Sequence, residues 1–335
     1  MQRTRFIDYF LFQSGCKVWR VVFVLVMVSI LAACTGLPGS RSSENKNSSS
    51  SQLLFWRNID GGVQESSSAV PAAGGYIQLG RPVSVAAWAD YVYIADAGRQ
   101  AILRYDRRRE VFSVFYRMPI TAATRIIVTA GEYLYITDPI QSRILYLDRN
   151  ARLLREITDF NLKQPVAITD DDSLGQILVA DAFYNQILVF NKLGRLIQTI
   201  HPVDGTGAPI SGLADMVVRK EKIYLLDRLL RQIVVTDLNG AYLQTIGSDR
   251  LQQPVAMRID DTGRILVADA FDNSLLFFSE NGVHKISAKS ESVMTMQLAG
   301  MDLHETWLYL VDVAAARIQV MKLLFPVAAT AEQKK

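Results

Sequence analysis

The chain has 335 residues, half of them apolar and 21% charged, which fits a folded body with a substantial core and excludes a collagen-like or disordered chain. The net charge of +3 comes entirely from Arg3, Arg5, Lys17 and Arg20 against Asp8, and residues 34–335 balance at 32 basic and 32 acidic groups. The body thus carries no basic footprint, and no nucleic-acid partner is expected. Both cysteines, Cys16 and Cys34, precede the body, which excludes a disulfide framework and a thiolate metal site there.

In chain order, the first element is an address. A basic stretch leads into the apolar run Val21-Val-Phe-Val-Leu-Val-Met-Val-Ser-Ile30, followed by Leu31-Ala32-Ala33-Cys34. A charged region, an apolar core and small residues before a cut site make an export signal; the run is about 13 residues, short of the ~20 that a spanning helix needs. Leu-Ala-Ala-Cys resembles the bacterial lipobox. That resemblance implies cleavage before Cys34, a diacylglycerol on its sulfur and an acylated amino terminus, so that the lipid bilayer is a partner through Cys34. Thr35, not an aspartate, follows the cysteine. This favours a periplasm-facing lipoprotein of the outer membrane of the cell envelope. Residues 1–33 are thus expected to be the signal peptide. Residues 34–74 should be the lipidated cysteine and a flexible Ser/Asn-rich tether, although Leu53, Leu54, Phe55 and Trp56 are apolar enough to pack on the body.

A repeat fills the rest. Six apolar runs end in aspartate at Asp96, Asp138, Asp181, Asp227, Asp269 and Asp312, spaced 42, 43, 46, 42 and 43 residues apart. Six residues after each stands an aliphatic: Ile102, Ile144, Ile187, Ile233, Leu275 and Ile318. Each unit reads as four short strands. The first often opens with proline (Pro82, Pro165, Pro254), the second is the apolar run, the third starts at the offset aliphatic, and a Gly-ended turn such as Asn191-Lys-Leu-Gly194 leads to the fourth. The second strands are apolar on both faces, so both faces of each sheet must be covered, as they are between the blades of a propeller. The expected fold is an all-β, six-bladed β-propeller over residues 75–325, with 326–335 as a C-terminal tail. The sixth unit lacks a fourth strand, and an N-terminal strand, assigned to Gly75-Tyr-Ile-Gln-Leu-Gly80, is expected to complete the last blade.

Repeats three and five, with Pro165, Ala167, Asp181, Asn185, Ile187 and Phe190, and Pro254, Ala256, Asp269, Asn273, Leu275 and Phe278, resemble the NHL repeat. Elsewhere Gln100, Ser142, Arg231 and Ala316 replace the asparagine. The resemblance covers about residues 75–322. It implies a propeller but no single function, since members include surface sensor domains, RNA-binding domains and an amidating lyase.

Residues suited to catalysis are sparse, and no catalytic set, cofactor or metal site is expected. The six repeat aspartates read as structural, each accepting backbone N–H groups in the loop after its strand. The strands expected to line the channel are small and neutral apart from Arg125 and Asp215, which read as a salt bridge or solvated pair; a hydrolytic metal wants more ligands than two. His201, His284 and His304 belong to separate repeats. Asp170-Asp-Asp172 and Asp106-Arg-Arg-Arg-Glu110 read as solvated turns. The loops after the second strands place Ile140, Phe183, Tyr184, Leu229, Leu230 and Phe271 with Arg228 and Arg231 on one face of the disk, either as a binding face or tucked between blades. The expected function is a membrane-anchored periplasmic binding or scaffold module presenting this face to a protein or glycan partner. The alternative is a metal-assisted lactonase- or lyase-type enzyme.

Overall fold

A computed structural model describes residues 52–65, 75–279, 282–286 and 297–324, the last-but-one segment by its backbone alone. The signal peptide, Cys34 and the tail 326–335 lie outside them. The described residues fold into six sheets. Three short strands come first: β1 (Gln52–Ile59), β2 (Gly61–Gln64) and β3 (Tyr76–Gln78). Blade one is β4 (Pro82–Trp88), β5 (Tyr91–Asp96), β6 (Ala101–Asp106) and β7 (Val111–Arg117); blade two is β8 (Ile126–Thr129), β9 (Tyr133–Asp138), β10 (Arg143–Leu147) and β11 (Leu153–Thr158). Blade three is β12 (Pro165–Asp171), β13 (Gln176–Asp181), β14 (Gln186–Asn191) and β15 (Leu196–Ile200); blade four is β16 (Leu213–Arg219), β17 (Lys222–Asp227), β18 (Gln232–Asp237) and β19 (Tyr242–Ile246). Blade five is β20 (Pro254–Ile259), β21 (Ile265–Asp269), β22 (Ser274–Ser279) and β23 (Gly282–Ile286), and blade six opens with β24 (Leu298–His304), β25 (Trp307–Asp312) and β26 (Arg317–Leu324). The first strands of successive blades touch in order around the axis, and β24 returns to β4, so the ring is closed.

The core consists of wedges between neighbouring sheets, which explains the second strands. In β5, Val92 and Ile94 pack towards blade six, with Tyr309 and Val311, while Tyr93 and Ala95 pack towards blade two, with Ile126 and Ile136. In β25, Leu308 and Leu310 face the blade-five side, with Leu266 and Ala268. Side chains alternate along a strand, so burying both faces demands an unbroken apolar run.

Closure uses a different segment from the one expected. The fourth strand of blade six is β1, paired antiparallel with β26 from Gln52↔Leu324 to Ile59↔Ile318. Residues 76–78 pair with β2, which runs parallel to β7 at the outer edge of blade one. Ile77 and Leu79 are buried in the same wedge as Ile59. Both segments thus carry apolar residues for the joint between first and last blades, and only hydrogen-bond pairing separates their roles. The described part of the body accordingly includes residues 52–65, inside the stretch expected to be tether.

Every four-residue loop after a second strand ends in a left-handed residue: Gln100, Ser142, Asn185, Arg231, Asn273 and Ala316 have φ between 49° and 55°. Asparagine tolerates this region better than most residues, which accounts for its place in repeats three and five.

Candidate functional site

The repeat aspartates are all buried at the start of these loops. Asp96 accepts the backbone N–H groups of Gly98 and Arg99 in its own loop and of Gly80 and Arg81 in the connection entering the blade. Asp181 does the same with Phe183, Tyr184, Lys163 and Gln164, and Asp269 with Phe271, Gln252 and Gln253. Asp312 binds Gln297 N, Ala315 N and Arg317 Nε, and Asp138 binds Gln141 N and Arg143 Nε. Asp227 accepts from Leu229 and Leu230. In blade four the entering chain passes so close that a Cβ on Gly212 would stand 2.1 Å from Asp227 Oδ1. In blades one, three, five and six the carboxylates thus staple the loop to the connection beside it, while Asp138 and Asp227 bond their own loops, and in all six blades the loop tips are held from below.

What those tips present is apolar. Ile140 is 58% exposed, Phe183 63%, Leu229 62% and Phe271 65%, and Tyr184, Leu230, Arg228 and Arg231 are exposed beside them. These residues point to solvent and do not tuck between blades. Phe183 and Tyr184 meet edge to face at 4.8 Å. Phe160, in the connection entering blade three, adds a nearly bare ring with Lys163 Nζ 4.9 Å from its centroid. Sequence reading missed it because it lies outside the repeated loop. The equivalent loops of blades one and six carry Ala97-Gly-Arg-Gln100 and Val313-Ala-Ala-Ala316, so the apolar arc spans blades two to five.

The channel is more charged than the sequence suggested. A cavity of about 160 Å³ touches all six first strands and is lined by residues that include Ile127, Asp170, Met216, Arg258 and Asp302. Asp215 pairs with Arg258, not with Arg125: Arg258 Nη1 lies 2.9 Å from Asp215 and its Nε 2.9 Å from Asp302. Asp215 also accepts Met216 N and Met257 N, and Asp302 accepts Ala87 N. One guanidinium thereby ties blades four, five and six, and Asp302 extends the tie to blade one. Burial acts to lower the Arg258 pKa, but Asp215 and Asp302 outweigh it and hold it above the usual arginine range. Arg125 donates to the Ala122 and Thr124 carbonyls; burial lowers its pKa against the pull of Asp215. Arg258 and Asp302 hold the same register in adjacent repeats, opposite Leu266 and Tyr309. Reading the repeats at that one offset would have found the pair.

Asp170 is not a turn residue. It sits in β12, opposite Ile177, and burial, followed by repulsion from Asp172, pushes its pKa up to about 6. The folded protein therefore binds this proton more tightly than the unfolded chain. The resulting stability is complete below the unfolded value and is lost as the pH rises through about 6. Asp170→Asn is expected to raise the melting temperature by a few degrees at neutral pH and to change it much less below about pH 4. Thermal melts across that range check this; a variant with the wild-type pH profile would contradict it.

Among the histidines, His304 accepts the Ala89 N–H and lies 5.1 Å from the Trp88 ring, His201 is exposed, and the His284 side chain lies outside the described residues.

Residues 153–261 match a family model described as a 6-bladed beta-propeller (DUF5128). No curated protein sequence matches the chain. Among solved structures, a Bacteroides thetaiotaomicron protein of unknown function is similar at 11% identity and a TM-score of 0.63, over 82% of this chain and 76% of that one. An auxiliary nutrient binding protein from the same organism is similar at 12% identity and 0.57, over 82% and 77%. Virginiamycin B lyase from Staphylococcus aureus follows at 11% identity and 0.55, over 82% and 99%. At such identities the likeness is one of fold: the chain is an all-β six-bladed propeller, an architecture it shares with both a binding protein and a lyase.

Proposed function

We propose that this chain is a binding module of the cell envelope, tethered to the outer membrane through an acylated Cys34, which holds a protein partner against the loop end of its propeller. The observation that carries the reading is the arc from Ile140 through Phe183 and Leu229 to Phe271. Four consecutive blades present exposed large apolar side chains on one end, on loops fixed by buried carboxylates. Exposed apolar surface of this extent marks interaction sites, and aromatic side chains with adjacent arginines are the groups enriched where proteins meet. Immobilised loops limit the ordering cost of association. The tether rests on Leu31-Ala32-Ala33-Cys34. It would leave the propeller free to turn its loop end to a partner in the periplasm.

Phe183→Ser with Phe271→Ser is the direct test. Both rings are exposed, so stability should change by no more than about 0.5 kcal/mol per site. Capture of the partner from cross-linked envelopes should be lost. An unchanged set of cross-linked proteins would sink the loop end as the binding face.

A further inference from the structure

Away from the loop end, a cleft of about 210 Å³ opens where the ring closes, between blades six and one. It lies at the end of the disk that carries the turns Ala89–Asp90 and Arg107–Glu110, opposite the loops just described. Trp56 and Trp307 form one wall, ring centroids 5.4 Å apart and edge to face, with Trp56 62% exposed. Trp56 is the extra residue of a β-bulge: Phe55 pairs with Met321 and Arg57 with Val320, leaving Trp56 unmatched. The outer strands of blades two to four carry the same bulge, at Leu154, Ile197 and Leu243, and that of blade one carries one displaced by two residues, at Phe115. The indole is therefore an individual choice at a shared position that re-aims a side chain.

The facing wall is basic. Arg57 pairs with Glu110 and Arg108 with Asp90. Among the described residues Arg107 has no carboxylate partner. It donates to the Tyr309 hydroxyl at 2.6 Å and to the Ala89 carbonyl, and its Nε is buried without a hydrogen-bond partner. Arg107 lines the cleft and brings to it a positive charge that no ion pair neutralises among the described residues, the kind of group that draws an anion.

We propose that this cleft binds the terminal residue of an anionic saccharide, with the sugar ring on the Trp56 and Trp307 indoles and its carboxylate on Arg107. An indole face suits the C–H face of a pyranose, as it suits other apolar bodies with polar edges. The uncompensated guanidinium selects a carboxylate-bearing sugar over a neutral one. The cleft is smaller than the ~300–1,000 Å³ of sites that engulf a drug-sized ligand, so it takes one ring at the end of a chain.

Full-length protein titrated with a glucuronate-terminated disaccharide, its glucose-terminated counterpart and inorganic phosphate tests this, read by tryptophan fluorescence and saturation-transfer NMR. The uronate should bind saturably and at least about tenfold more tightly than the neutral sugar. Trp56→Ala should weaken both sugars about tenfold without altering the melt, because that ring is exposed. Arg107→Gln should remove only the advantage of the uronate, and Arg107→Lys, which keeps the charge, should retain part of it. Absence of saturable sugar binding overturns the proposal. So does equal binding of the two sugars, or phosphate binding as tight as the uronate's and indifferent to Trp56→Ala. The Phe183→Ser, Phe271→Ser variant should titrate as wild type, which separates this site from the loop end.

Discussion

Excision of residues 52–59 from the full chain is expected to lower the melting temperature by more than about 10 °C, whereas excision of residues 40–47 should leave it unchanged. The first deletion removes β1, which pairs with the outer edge of β26 from Ile318 to Leu324. It also removes Ile59, 2% exposed in the wedge between blades six and one. Truncating such a side chain to alanine alone costs about 2–5 kcal/mol, and the strand also covers the edge of a sheet rich in Ile318, Val320 and Met321. Left open, that edge is a template for pairing with another chain, so the 52–59 deletion should aggregate on heating. Differential scanning calorimetry with light scattering checks both. Equal melts for the two deletions would show that the ring holds without β1 and that residues 75–80 supply its closure after all.

Arg258→Met should destabilise the fold by about 3–5 kcal/mol, because it leaves Asp215 and Asp302 charged, largely enclosed and unpaired. In a domain of this size that is about 2–4 °C of melting temperature per kcal/mol. The triple variant Arg258→Met, Asp215→Asn, Asp302→Asn should recover most of the loss, since it removes the stranded charges together with the guanidinium. Urea unfolding of the two proteins is the measurement. A single variant as stable as wild type would mean that the carboxylates are solvated through the channel and that the tie between blades carries no weight.

The two expectations differ in how far the sequence could see them. Blade number followed from aspartates recurring 42 to 46 residues apart, and the second strands announced their double burial by lacking alternation. Both signals are local. Closure was mistaken because Gly75–Gly80 mimics the step from a fourth strand into Pro82, as Leu243–Gly247 precedes Pro254. The mimicry has a physical basis, for Ile77 and Leu79 enter the same wedge as Ile59, and apolar pattern cannot tell which of two segments hydrogen-bonds to β26. Arg107 illustrates the opposite failure. In the sequence it belongs to a charged turn, and only the neighbouring blade supplies the Tyr309 hydroxyl that draws it into a cleft.

The sequence by itself determined the repeat, the number of sheets, the all-β class and which loops carry the apolar residues, because each depends on strand periodicity and on turn chemistry within a few residues; that the tips of those loops face solvent was decided by the packing of the blades. Tertiary structure alone decided which strand seals the ring, that Arg258 and not Arg125 answers Asp215, and that Trp56 and Arg107 share one cleft. Those outcomes join residues dozens to hundreds of positions apart, and their energies depend on burial and partner geometry that exist only once the blades stand side by side.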